Sequence, residues 1–216
     1  MKARLDILPS QQKRLWTELS QLPSSFVLYG GTAIALRLGG RQSIDFDFFT
    51  EKTLSADALI RDLPLLTNAR LLQAAPNTAT FAVQRDGEVQ VSFFGALSFG
   101  RVGTPERCDD NGIWVASLLD LAAQKMKIIL TRAEAKDYLD IHALICAGVS
   151  LQQALGAAKA LYPEFNPILS LKALNYYGEP TLEAVSVDVR ETLVTEAAKV
   201  NSVEPIDKLA STISLQ

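Results

Sequence analysis

Two aspartates spaced one residue apart, Asp45 and Asp47, follow a glycine pair, Gly30-Gly31, and a threonine, Thr32, at the distance of one short helix. Together they form the stretch LYGGTAIALRLGGRQSIDFDFF. Glycines ahead of a helix let the backbone turn tightly and bring bare N–H groups close to an anion, where the helix dipole adds partial positive charge. Thr32 adds a hydroxyl donor. On a strand, residues two apart point to one face with Cα atoms roughly 6.5 Å apart. Asp45 and Asp47 therefore aim together, and Phe46 points the other way. Two carboxylates so placed suit Mg²⁺ ions about 3.5–4 Å apart, the arrangement of phosphoryl and nucleotidyl transfer. Each half has a plainer explanation. A glycine pair is commonly only a tight turn. Acids on an interior strand can instead be held by a basic neighbour, here Arg37 or Arg41, because an unpaired buried charge is expensive.

The elements that must position these residues are legible from periodicity and punctuation. Ser10–Leu22 is expected as a helix stopped by Pro23, 26–29 as a short buried strand, and 32–38 as a helix stopped by Gly39-Gly40. The acidic strand spans 44–49. A helix over 55–63 and strands over 71–75, 80–84, 88–94 and 113–116 follow, with Asp86-Gly87 as a tight hairpin turn. From Ser117 strand signals stop. Ser117-Leu-Leu-Asp120 has the form of a capping box opening a helix to about 132, and helices are expected over about 135–147, 150–161, 168–176 and 187–200. The expectation is an α/β (α+β) fold: residues 1–116 as a mixed-sheet core and 117–216 as a helical region packing on it around a cleft.

With 216 residues, 48% of them hydrophobic, the chain is long enough for a sizeable core. A net charge of −3 excludes the overall basic signature of a nucleic-acid binder. Cys108 and Cys146 match no metal spacing, and one histidine, His142, excludes a His-rich metal site. The charged N-terminal stretch is no signal peptide and no apolar run is long enough to span a membrane, so a cytoplasmic protein with reduced thiols is expected.

Three further segments join the first motif: VQVSFFGA, VASLLDLAAQKMKIILTRAEAKDYLDIHAL and LYPEFNPILSLKALNYY. With them, most of the chain resembles the AbiEii-type nucleotidyltransferase toxins of the DNA polymerase β-like superfamily. The resemblance implies transfer of a nucleoside monophosphate from an NTP onto an acceptor, in some members the 3′ end of tRNA. It also implies a toxin of bacterial type, paired with an antitoxin or used in phage defence. By the same resemblance, Gly30, Gly31 and Thr32 would hold the triphosphate with Arg41 and Arg132, and Asp45 and Asp47 would bind Mg²⁺. Lys125 would contact the triphosphate, and Asp137 would be the acid of the third motif, with Lys136 and Asp140 around it. Read without the resemblance, Lys125 and Lys127 are two lysines on one helix, and Asp137 and Asp140 share a helix face. All five of Thr32, Asp45, Asp47, Lys125 and Asp137 are expected to line the cleft.

The chain departs from the family pattern twice. Gly40 precedes Arg41 where a histidine is common. Ser92 stands where the superfamily has a third metal carboxylate, an acid that helps activate the attacking hydroxyl. Glu88 or Asp137 are the available substitutes. An active transferase, a nucleotide-binding or interaction protein that has lost catalysis, and a kinase-like phosphotransferase are therefore three separable expectations.

Overall fold

A computed structural model describes residues 1–215. Its order is helix α1 (Ser10–Trp16), strand β1 (Val27–Tyr29), α2 (Gly30–Leu38), β2 (Asp45–Phe49), α3 (Ala56–Asp62), then β3 (Arg70–Ala75), β4 (Thr78–Gln84) and β5 (Glu88–Phe94). Two short strands, β6 (Glu106–Arg107) and β7 (Trp114–Val115), precede α4 (Leu118–Ile128), α5 (Ala135–Cys146), α6 (Leu151–Leu161), α7 (Pro167–Ala173) and α8 (Val187–Ala198). The strands form one sheet in the order β3-β4-β5-β2-β1-β7-β6. β2 runs parallel to β5 and β1 parallel to β7, and the other neighbours are antiparallel. This is a mixed α/β fold with the acidic strand at its centre.

The chain divides into two compact units. Of the described residues, the first comprises 1–100, 104–116 and 210–215, and the second 101–103 and 117–209. In the first, strand periodicity sorts the sheet into two faces. Phe46, Phe48, Phe81, Phe93, Val89 and Val91 are fully buried on one face, and Trp16 of α1 stacks on Phe46 with ring centroids 6.2 Å apart. The opposite face carries Asp45, Asp47 and Phe49. Arg37 of α2 donates to the carbonyls of Ala116 and Val115 and pairs with Glu106, fastening α2 to the β6–β7 end. Residues 210–214 return to this unit: Glu51, two residues past β2, accepts from Ser214 Oγ at 2.6 Å and from the backbone N–H groups of Ser214 and Ile213. Burial raises the Glu51 carboxyl, but the Ser214 hydroxyl and the backbone N–H groups of Glu51 itself, Ser214 and Ile213 together outweigh it and hold it below its ordinary value.

In the second unit α4, α6 and α7 each start on a side-chain cap. Ser117 Oγ accepts from the Asp120 N–H, and Ser150 and Gln153 cap each other reciprocally at α6. Asp120 is buried and accepts from the N–H groups of Val102 and Gly103 and from Ser117 Oγ. Burial nevertheless pushes its carboxyl above the ordinary value. Asn166 caps α7 ahead of Pro167 at the first helical position.

Where element bounds differ from expectation, local hydrogen bonds give the reason. The helix expected over 10–22 is α-helical only to Trp16 and then tightens to 3₁₀ over Thr17–Gln21. The hydroxyls of Thr17 and Ser20 each bond back to a carbonyl three residues earlier, an alternative to the α-helical ladder. The helix expected to reach 132 stops at Ile128, where Thr131 Oγ1 takes the Ile128 carbonyl. Strand β6 has only two residues, both charged and exposed, and carries no pattern to read.

Candidate active site

The Gly30-Gly31-Thr32 turn and the Asp45-x-Asp47 strand meet in the first unit. α2 begins at Gly30 itself, and Tyr29 before it supplies no side-chain cap. Gly30 has φ +74°, and a Cβ there would overlap Asp47 Oδ2 and stand 3.2 Å from Asp47 Cγ. The Asp47 carboxylate thus occupies the space a side chain at position 30 would take. A Cβ on Gly31 would overlap the Arg41 guanidinium and stand 3.0 Å from Ser43 Oγ. The glycine pair is therefore flanked by an acid and a base, each laid against bare backbone. Thr32 is buried and donates its hydroxyl to the Asp45 carbonyl oxygen. That bond ties the helix start to the acidic strand, so the hydroxyl expected to meet phosphate here positions Asp45.

Sheet register sets the neighbours of the two acids. Asp47 lies opposite Tyr29 on β1 and Ser92 on β5, and Asp45 lies opposite Gln90. Ser92 therefore stands directly beside Asp47, and it shares a buried hydrogen bond of 3.1 Å with Thr80 of β4. Glu88, offered as a substitute acid, is at the far end of β5, exposed and paired with Arg70 at 2.9 Å. The donor set is hard and oxygen-based, and Asp45 and Asp47 are half-buried on one face. No group of three or more His, Cys, Asp or Glu able to hold a metal occurs among the described residues. Such a pair fits Mg²⁺, which is held by one or two carboxylates with substrate phosphates completing the shell.

The third-motif residues come together in the second unit. Lys125 of α4 is buried, with Nζ 2.8 Å from Asp137 Oδ1 and 2.7 Å from Asp140 Oδ2. Arg132, in the connection to α5, donates to both Asp137 oxygens at 2.9 and 3.2 Å and is 42% exposed. Burial raises Asp137, but the Arg132 hydrogen bond and the Lys125 charge and hydrogen bond prevail and lower it. Lys136 pairs with Glu134 at 2.8 Å. Lys127, the competing lysine, lies over the Tyr162 ring 4.1 Å from its centroid. Asp140 is the member that sequence reasoning undervalued. Its signal was the three-residue spacing from Asp137, which brings both carboxylates to one ammonium.

The fold is that of the nucleotidyltransferases. MenT4, a nucleotidyltransferase toxin from Mycobacterium tuberculosis H37Rv, superposes with a TM-score of 0.59 at 16% identity over 86% of this chain and 80% of that one. An antigenic nucleotidyltransferase-like protein from Paracoccidioides brasiliensis superposes at 0.53, also at 16% identity, over 91% and 96%. An uncharacterized protein of Aquifex aeolicus (strain VF5) is 32% identical over 169 residues, 77% of this chain and 80% of the relative. Residues 14–199 match the family described as "Nucleotidyl transferase AbiEii toxin, Type IV TA system", and the chain belongs to that family. No single helix among the described residues is long and apolar enough to cross a membrane.

Proposed function

We propose that this chain is a Mg²⁺-dependent nucleotidyltransferase that moves an NMP from an NTP onto an RNA acceptor. The observation that carries the proposal is the placement of the Asp47 carboxylate against the bare backbone of Gly30, with Asp45 on the same face. A phosphate at that helix start and a cation on those carboxylates would be neighbours. Gly30 and Gly31 offer backbone N–H groups to the triphosphate, Arg41 adds a guanidinium beside Gly31, and Thr32 fixes Asp45. Mg²⁺ held by Asp45 and Asp47 would supply charge neutralisation at the α-phosphate as the acceptor hydroxyl attacks and pyrophosphate leaves. Lys125 retains the triphosphate contact that family membership suggests. Since Asp137 and Asp140 hold its ammonium, that role asks phosphate to replace one carboxylate, while Arg132 is the more exposed cation of the group. The acceptor is the 3′ end of tRNA, the consequence is arrest of translation in a bacterial cytoplasm, and an antitoxin is the expected partner.

The test is incubation with each labelled NTP, Mg²⁺ and total RNA, followed by location of the label. Asp45→Asn should reduce transfer at least 10²–10³-fold, the cost of about 2.7–4 kcal/mol of lost electrostatic stabilisation, with the thermal transition unchanged. Transfer at the wild-type rate by Asp45→Asn would refute the metal assignment. A second reading has an observation of its own. Ser92 beside Asp47 is bonded to Thr80 and offers no carboxylate, which favours a protein that binds Mg·NTP without transferring it. Binding without product in the same experiment selects that reading, and label appearing as a transferred γ-phosphate would select a kinase.

A further inference from the structure

The face of the sheet that carries Asp45 and Asp47 continues, one step along the strands, as an aromatic row. Phe49 follows Asp47 by two residues, and Phe94 lies opposite Phe49 on β5. Tyr29 stacks on Phe49, with centroids 4.6 Å apart and 11° between planes. Phe94 and Phe99 stand edge-on to Phe49, at 5.1 Å and 69° and at 6.3 Å and 70°. Tyr29 is buried and backs the group, while Phe49, Phe94 and Phe99 each keep part of their surface exposed. The opposite face treats its rings differently, for Phe46, Phe48, Phe81 and Phe93 are all 0% exposed. Rings serving only as core would be expected to vanish in the same way.

We propose that Phe49, Phe94 and Phe99 form a stacking platform for a base at the 3′ end of a single-stranded RNA acceptor. The proposal rests on Asp45 and Asp47 being the reaction centre. A row-to-row distance of about 6.5 Å is the scale separating a nucleotide's reacting sugar from its base. Aromatic side chains on an open sheet face are a recurrent way of holding unpaired bases, and every base presents a π-face to them. The register continues the row from Phe94 to Thr78 and Ala75 and, on the other side, from Phe49 to Val27, Trp114 and Arg107, so its one cation stands three strands from Phe49 and donates to the Gly112 carbonyl. The contribution of this subsite is therefore stacking, with little counterion release, and should be nearly independent of salt.

The experiment compares short RNA oligonucleotides ending in 2-aminopurine or in an abasic nucleotide, without NTP, against the intact protein. Wild type should quench the 2-aminopurine and bind the base-bearing oligonucleotide about 10-fold more tightly than the abasic one. That ratio should persist across salt while both affinities fall. Phe94→Leu and Phe99→Leu should reduce the ratio to within about two-fold and abolish quenching, and Phe94→Tyr should restore both. The wild-type comparison needs no variant to fold. Equal affinity for the two oligonucleotides, absence of binding, or quenching unchanged in both leucine variants would overturn the platform. Failure of wild type to transfer a labelled NMP refutes the reaction instead, and it is read in a separate assay.

Discussion

Three of the four glycines in the first motif, Gly30, Gly31 and Gly40, separate two physical effects, and alanine at each makes a decisive comparison. Gly30 combines φ +74° with a Cβ position that overlaps the Asp47 carboxylate. Gly31 has ordinary backbone but faces the flexible tip of Arg41. Gly40 has φ +90° with nothing within 4 Å. An alanine held in the left-handed region costs about 1–2 kcal/mol. Gly30→Ala and Gly40→Ala should therefore each lose about that much stability in urea denaturation. Only Gly30→Ala must also push the Asp47 carboxylate aside by about 1 Å, and misplacement on that scale costs about 10²-fold in rate. Labelled-NMP transfer should fall about 10²-fold for Gly30→Ala and less than about three-fold for Gly40→Ala. Gly31→Ala should fall between them, because the Arg41 side chain can swing away. Equal activity losses for Gly30→Ala and Gly40→Ala would show that backbone strain, and not the fit of Asp47 against Gly30, governs the site.

Lys125→Met should destabilise the protein by about 3–5 kcal/mol, because Asp137 and Asp140 are left buried around an apolar side chain; denaturant unfolding measures it, and a change below about 1 kcal/mol would contradict the buried triad. Asp137 and Glu51 both lie below their ordinary values in the folded chain, so the stability they contribute is complete above those values and is lost as pH falls through the lower, folded ones. Thermal melts should therefore be flat near neutrality and drop from about pH 4 downward, and the drop should be shallower for Glu51→Gln. Ser92→Asp places a third carboxylate beside Asp47 and should raise transfer while lowering stability without metal by about 1–3 kcal/mol, because position 92 is buried and the new charge faces a like one. A folded Ser92→Asp protein with no gain would remove the missing acid as the limit on catalysis.

The central strand, the helix after Gly30 and the all-helical stretch beyond Ser117 were legible because each rests on local chemistry: period-two burial, glycine geometry and capping serines. The partners of the charged residues were less so. Thr32 reads as a ligand donor, yet its hydroxyl turns inward to the Asp45 carbonyl. Arg37 was a candidate to neutralise the acids, yet it closes on Ala116, Val115 and Glu106, 69 to 79 positions along the chain. Lys125 looked costly among apolar residues, and the structure shows how the cost is met, with two carboxylates from the next helix. Donor and acceptor types are written in the sequence. Which long-range partner each one finds depends on a register and a helix crossing that spacing alone does not specify.

The clasp between Glu51 and residues 213–214 has a consequence for the order in which the protein is made. The chain is synthesised from its N-terminus, and domains generally fold as they emerge. The sheet and its acidic strand are complete as sequence by Val115, but the donors that satisfy Glu51 arrive only after all of α4–α8 has been translated. A nascent or prematurely terminated chain therefore carries the acids of the reaction centre on a sheet whose neighbouring carboxylate still lacks its closing partners. For a member of a toxin family, that timing ties the finished sheet unit to translation of residues 213–214, after the whole helical stretch α4–α8.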